Sequence, residues 1–231
     1  MKFDRYDIFA RALPAVLASV PFFILHYFLF SPALGAFWGE LLGLKVASDV
    51  TFVFALLFLA MQFNRIVSKE VFEKRMYGDG LKFPTTNFLL HLDSYFSSDY
   101  TQKIHNRIES DFSINIPTRY SETKDEDKSR KLIAEAISHI RVKVGKGNLL
   151  GQHNLEYGFV RNFSGGNVLA SAVSMLDIII FKWIYPNNTA LSVSIVSFFI
   201  YFTLSLLAGK MIESVGRSYA KVLIQEYMAL Q

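Results

Sequence analysis

Between Arg119 and Lys146 the chain carries eight bases, Arg119, Lys124, Lys128, Arg130, Lys131, Arg141, Lys143 and Lys146, against five acids. Arg161 follows, close to Tyr157 and Phe159. Bases at this density neutralise phosphates, and neighbouring aromatic rings offer faces on which nucleobases stack, so the stretch points to a polyanion such as an oligonucleotide. The residues put forward as nucleic-acid contacts are Arg119, Lys128, Arg130, Lys131, Arg141, Lys143, Lys146 and Arg161. Repeated around an oligomer they would form a strongly positive ring. The competing reading is a solvated helix face whose bases follow the positive-inside bias of membrane proteins.

Asp177 is the second position that could do chemistry. It falls near the middle of an apolar run, where a carboxylate is costly and marks a pore or ion path by default. The alternative is a carboxyl that is protonated or hydrogen-bonded to a neighbouring helix. In the next apolar run Phe198, Phe199 and Phe202 either form a hydrophobic gate that opens by wetting or face lipid. For catalysis the signal is poor. His91 and Asp93 lie two apart, while His105, His139 and His153 are scattered without a spacing such as His-Glu-x-x-His. The chain has no cysteine, which excludes disulfides, thiolate metal sites and cysteine nucleophiles. The expectation is a protein that is not an enzyme and has no cofactor or metal.

These residues are carried by a chain of uneven composition. Of its 44 Asp, Glu, Lys and Arg residues, 29 lie between Arg65 and Ser164, and apolar residues make up 52 % of the whole. A first apolar run covers Phe9 to Phe30, broken by Pro14 and Pro21, and about 20 such residues cross a ~30 Å hydrocarbon core. A Gly-rich hairpin with Trp38 at the far interface leads to a second run, Val46 to Val67, whose helix continues outward until Gly78 and Gly80 end it. The third span begins after Gly165-Gly166, at about Asn167, and ends at Tyr185. Pro186-Asn187-Asn188 then makes a tight turn into the fourth, Thr189 to Leu207. From Lys210 to Gln231 the pattern is an amphipathic helix.

Orientation follows from the basic residues, because cytoplasmic loops collect them. The outer loops hold only Lys45 and Lys182, whereas the block alone holds 16 bases. Both termini and the block are therefore expected in the cytoplasm, with the spans in a bacterial inner membrane. Inside the block, Tyr100, Ile104, Ile108 and Phe112 make one helical stripe that Ser98 or Asp99 can cap. From about Asp125 a second helix sets Leu132, Ile133, Ala136, Ile137, Ile140 and Val144 within an arc of roughly 140°. The expected fold is an all-α membrane protein, four transmembrane helices with a helical cytoplasmic domain inserted between spans 2 and 3. Its parts are 1–64, 65–164, 165–209 and 210–231. Its thin helical core leads to an expectation of oligomers, and small residues such as Ala12, Ala15, Ser174 and Ser197 allow the spans to pack closely.

Four strings of the block carry a resemblance: Pro84-Thr85-Thr86-Asn87, Ile114-Asn115-Ile116-Pro117-Thr118, Ala136-Ile137-Ser138-His139-Ile140-Arg141, and Asn154-Leu155-Glu156-Tyr157-Gly158-Phe159-Val160-Arg161-Asn162. With the span count, they resemble the four-transmembrane channel effectors of Hailong-type bacterial anti-phage defence systems, encoded beside a nucleotidyltransferase. The resemblance implies a homotetrameric channel whose cytoplasmic chamber binds single-stranded DNA oligomers made by the partner enzyme. Bound DNA keeps the pore closed, and its loss on infection depolarises the cell. It assigns no individual residue. An effector opened by a cyclic nucleotide, and a transporter or scaffold without a pore, are the rival readings.

Overall fold

The computed structural model describes residues 4–32, 42–145 and 148–230, and among them the chain is all-helical without a strand. The helices are α1 Asp7–Ala18, α2 Val20–Phe30, α3 Leu42–Val67 continued through Ser68–Glu73 and Lys74–Tyr77, α4 Pro84–Asn87, α5 Ser98–Phe112, α6 Arg119–Lys124, α7 Glu126–Val144, α8 Asn148–Ile179 continued through Ile180–Ile184, and α9 Asn188–Ala229. Three of them, α3, α8 and α9, are long and apolar enough to cross a membrane, and the pair α1–α2, bent by 44°, makes a fourth if counted as one span. Trp38 and Glu40 of the expected hairpin lie outside the described residues. Chain contacts define two compact units, Met1–Phe72 with Gly158–Gly209, and Glu73–Tyr157 with Lys210–Gln231.

In the first unit the two prolines set the packing. A proline has no N–H, so Pro14 and Pro21 withdraw the usual helical donors from the carbonyls four residues back, Ala10 and Leu17. Each carbonyl is met by a side chain from another span. Asn162 Nδ2 donates to Ala10 O at 2.6 Å, and the Tyr201 hydroxyl donates to Leu17 O. In a bilayer such partners are what make a proline-broken helix tolerable. Gly158 lies against Tyr6 and Ala10, Gly166 against Ala18, and Phe181 packs with Ile24. The bent span and α8 therefore ascend in the same direction.

One boundary differs from expectation. Gly165-Gly166 does not separate a block helix from the third span but lies inside the single helix α8. The reason is proximity, not turn chemistry. A Cβ on Gly165 would stand 2.1 Å from the Asn64 carbonyl oxygen and 2.7 Å from Ser68 N, and one on Gly166 2.6 Å from Ala18 Cβ. The glycines are where backbones touch. Gly78 is a terminator as expected, at φ +48 with its N–H on the Lys74 carbonyl.

The second unit is built on a core of Phe88, Leu89, Leu90, Ile104, Ile108, Ile133, Ala136, Ile137 and Ile140, to which the end of α9 adds Ala220, Val222, Leu223, Ile224 and Tyr227. The helical stripes of α5 and α7 thus face inward as their periodicity requires. Asp125 caps α7 by accepting from Lys128 N at 3.0 Å. For α5 the cap is Ser97, which accepts from Tyr100 N at 3.3 Å, one residue ahead of the expected Ser98 or Asp99. Below Pro117, Thr118 caps α6, a short helix that the sequence pattern does not announce.

This core holds a neutral histidine. His105, 5 % exposed, donates through Nε2 to the Leu89 carbonyl at 2.7 Å and meets the His91 ring edge-on at 4.7 Å. Burial pushes its imidazole down to about 4, against a smaller opposing effect of the Leu89 bond. Below a pH of ~6.5 the unfolded chain takes up a proton that the folded chain refuses, so the stability is whole above that value and falls as pH drops towards 4. The full loss is at most about 3 kcal/mol. Urea midpoints at pH 7.5 and pH 5 should fall further apart for the wild type than for His105→Gln. Equal spacing in the two proteins would sink this assignment.

Candidate functional site

The polar groups of the first unit are concentrated on one face of α8. Ser164, Asn167, Ser174 and Asp177 recur at helical spacing, each fully buried, and Ser171 on the same stripe turns back to bond the Val168 carbonyl. From Ser164 to Asp177 the stripe runs roughly 20 Å at 1.5 Å per residue, a large part of a hydrocarbon core. Helix α9 adds Ser194 and Ser197, and α3 adds Asn64 and Ser68, all buried.

One hydrogen bond fixes the register between α8 and α9. Ser174 Oγ and Ser197 Oγ are 3.0 Å apart. Because the two helices are antiparallel across a tight turn, one helical turn towards that turn sets Asp177 level with Ser194. Phe181 and Ala190, one turn further, belong to a single buried cluster, as do Ala170 and Tyr201 on the other side. The turn itself is as short as its sequence implies, with Asn187 Oδ1 accepting from Ala190 N at 3.0 Å to cap α9.

What distinguishes this stripe is that most of its buried polar groups have no hydrogen-bond partner among the described residues. Among the described residues, both carboxylate oxygens of Asp177, both amide atoms of Asn167, Asn64 Nδ2 and the hydroxyls of Ser68, Ser164 and Ser194 are buried without a hydrogen-bond partner. Each such group costs about 1–3 kcal/mol in an apolar surrounding. Phe199 and Phe202 stand on the opposite, exposed side of α9, and Phe198 is half-buried. Phe198 stacks on Phe202 at 5.5 Å and meets Phe199 edge-on at 5.6 Å, so these rings do not line the seam of their own chain.

The proposed nucleic-acid contacts are dispersed. Arg119, Lys128 and Lys131 are exposed. Arg130 is committed to structure, its Nε 2.6 Å from Glu126 Oε1 and its Nη1 donating to Asn87 Oδ1 at 2.6 Å and Leu81 O at 3.2 Å. Arg141 lies over the Tyr219 ring at 5.8 Å. Lys143 Nζ is 2.7 Å from Asp111 Oδ1 and, as the main influence, holds that carboxyl below the usual carboxylate range. Arg161 is half-buried in the first unit, its Nε 3.4 Å from Asn162 Oδ1. Lys146 lies outside the described residues. Around α7, Arg130 and Arg141 share one flank of the buried stripe, roughly 20° apart, while Lys143 falls on the other and Lys128 and Lys131 point outward.

No family model, curated protein or solved structure matches this chain.

A cleft of about 360 Å³ in the second unit gathers bases that the sequence had kept apart, Lys82, Arg130 and Arg217, with Asp93 and Glu213 between them. Phe88 on its wall stacks face to face on Tyr95 at 3.8 Å, and the Arg217 guanidinium caps both rings at 5.6 Å. Arg217 comes from the tail and Lys82 from the loop after Gly80, so linear charge density carries no sign of this grouping. The satellites of Asp177 were equally hidden. Ser174 and Ser197 read as small residues for close packing, and Ser194 and Asn64 carry no sign of their place beside the stripe.

Proposed function

We propose that the chain is an oligomeric, ligand-gated membrane channel serving as an effector of bacterial anti-phage defence. The observation that carries the reading is the buried polar stripe of α8, where Ser164, Asn167 and Asp177 have no hydrogen-bond partner among the described residues, inside helices long and apolar enough to cross a membrane. Grouped around a homotetrameric axis or opened by a shift between packings, such a stripe conducts ions where an apolar one would not. The second unit, its larger part inserted between spans 2 and 3 and its remainder following span 4, lies on the cytoplasmic face of the inner membrane and is the sensor. Its exposed bases Arg119, Lys128 and Lys131 and the cleft bases Lys82 and Arg217 suit a polyanion, and the resemblance of the four strings implies a single-stranded DNA oligomer whose binding keeps the pore closed.

The test is ion flux through the purified protein in liposomes, with single-stranded DNA oligomers added on the side that exposes the second unit. The oligomers should suppress the flux. Asp177→Leu should lower the unsuppressed flux at least about tenfold, since it removes the one ionisable side chain on the stripe. Flux that Asp177→Leu leaves unchanged would remove the stripe from the path. A flux that arises only with a cyclic nucleotide would reverse the sign of gating, and a folded protein without flux under any condition would be a scaffold.

A further inference from the structure

The helices α1 and α3 of the first unit leave a groove of about 320 Å³ between them, and its lining changes along the helix axis. At one end stand Arg11 and Asp7 from α1 with Arg65 and Gln62 from α3, and beyond them the α3 wall is Met61, Phe58, Leu57 and Phe54. These α3 positions recur every three or four residues, so they form one helix face. From Arg65 to Phe54 that face runs roughly 16 Å. Phe54 and Phe58 are 71 % and 57 % exposed, which leaves the apolar part open sideways, towards the hydrocarbon of a bilayer.

The charge at the mouth is unbalanced. Arg11 is paired with Asp7 at 2.6 Å and lies over the Tyr6 ring at 5.4 Å. Arg65 is exposed and has no ion-pair partner among the described residues. Two bases against one acid leave a net positive charge beside the start of one span and the end of the next, where headgroups lie.

We propose that this groove is a site for an anionic phospholipid, with the phosphate at Arg65 and Arg11 and one acyl chain laid along Met61, Phe58, Leu57 and Phe54. The occupant must be amphipathic and must change from charged to apolar over the groove's length. A soluble phosphate would leave four apolar side chains unused, and a zwitterionic lipid would leave the charge uncompensated. A basic residue near the membrane surface attracts anionic lipid by about fivefold. The inference goes beyond the channel reading and needs only that the first unit lies in a bilayer.

Native mass spectrometry of the full chain in neutral detergent tests it without any flux measurement. With matched acyl chains, phosphatidylglycerol should be retained about fivefold over phosphatidylcholine. Arg65→Gln, at an exposed position, should abolish the preference and Arg65→Lys should restore it, while Phe58→Ala should weaken retention of phosphatidylglycerol. Inorganic phosphate alone should not bind. Equal retention of the two lipids, a preference that survives Arg65→Gln, or binding of phosphate alone would overturn the proposal. Because the chain has no cysteine of its own, Phe58→Cys reports the rival occupant. Oxidative cross-linking through it to a second chain would assign the groove to a neighbouring copy.

Discussion

Gly165→Leu is expected to prevent the first unit from folding. A Cβ at this position would sit 2.1 Å from the Asn64 carbonyl oxygen, 2.7 Å from Ser68 N and 2.9 Å from Ser68 Cβ. Two of these three atoms are backbone, so no rotamer change relieves the clash and α3 must move away from α8. That movement would also uncover Asn64 and Ser68, now 1 % and 0 % exposed. Overpacking of this kind costs about 1–3 kcal/mol where side chains can yield, and more where they cannot. Even Gly165→Ala should therefore lower the melting temperature in detergent and broaden the size-exclusion peak. Gly151→Ala is the control on the same helix, because a Cβ there meets nothing within 4 Å. Replacing a helical glycine without a clash stabilises by up to about 1 kcal/mol. Should Gly165→Ala melt with Gly151→Ala, the backbone contact between α3 and α8 does not exist.

The same glycine shows where sequence reading stops. Gly pairs end helices often enough that a boundary at Gly165-Gly166 was the natural expectation, and only the distance to Asn64 and Ser68 reveals close approach as its reason. The spans were legible because hydropathy is a property of a local window, and the stripes of α5 and α7 because their period is local too. Ala10 and Leu17 were not legible. Pro14 and Pro21 announce that two carbonyls lose their donors, but which side chains replace them depends on pairing Asn162 and Tyr201 with residues about 150 and 180 positions away. Asp177 stood out as a charge in an apolar run. Its relation to Ser194 needed the register that the Ser174 to Ser197 bond supplies. The arrangement of the basic block was hidden for a different reason, since charge density along the chain says nothing of direction around a helix. Lys143 and Arg130 are occupied by Asp111, Glu126 and Asn87, while Arg217, far along the chain, joins Lys82 and Arg130 in a cleft.

Tyr227→Ala is expected to destabilise the second unit far more than Tyr227→Phe, and the difference separates two roles of one side chain. The ring is fully buried, stacked at 6.1 Å on Phe112 and covered by the Arg107 guanidinium at 5.1 Å. Its hydroxyl donates to Asp111 Oδ2 at 2.8 Å. Arg107 reaches on to the Met228 carbonyl at 2.9 Å and to that of Leu230, so α5 grips the last turn of α9 on both sides of Tyr227. Truncating the ring leaves a cavity beneath Arg107 and should cost about 3–5 kcal/mol. Losing the hydroxyl alone should cost about 1 kcal/mol, because Asp111 keeps Lys143 at 2.7 Å. Urea unfolding followed by tyrosine fluorescence and far-ultraviolet circular dichroism measures both. If the tail is part of the core, Tyr227→Ala moves the whole transition of residues 73–157 together with that of the tail. A midpoint no lower than that of Tyr227→Phe would mean that the end of α9 lies against the unit without helping to hold it together.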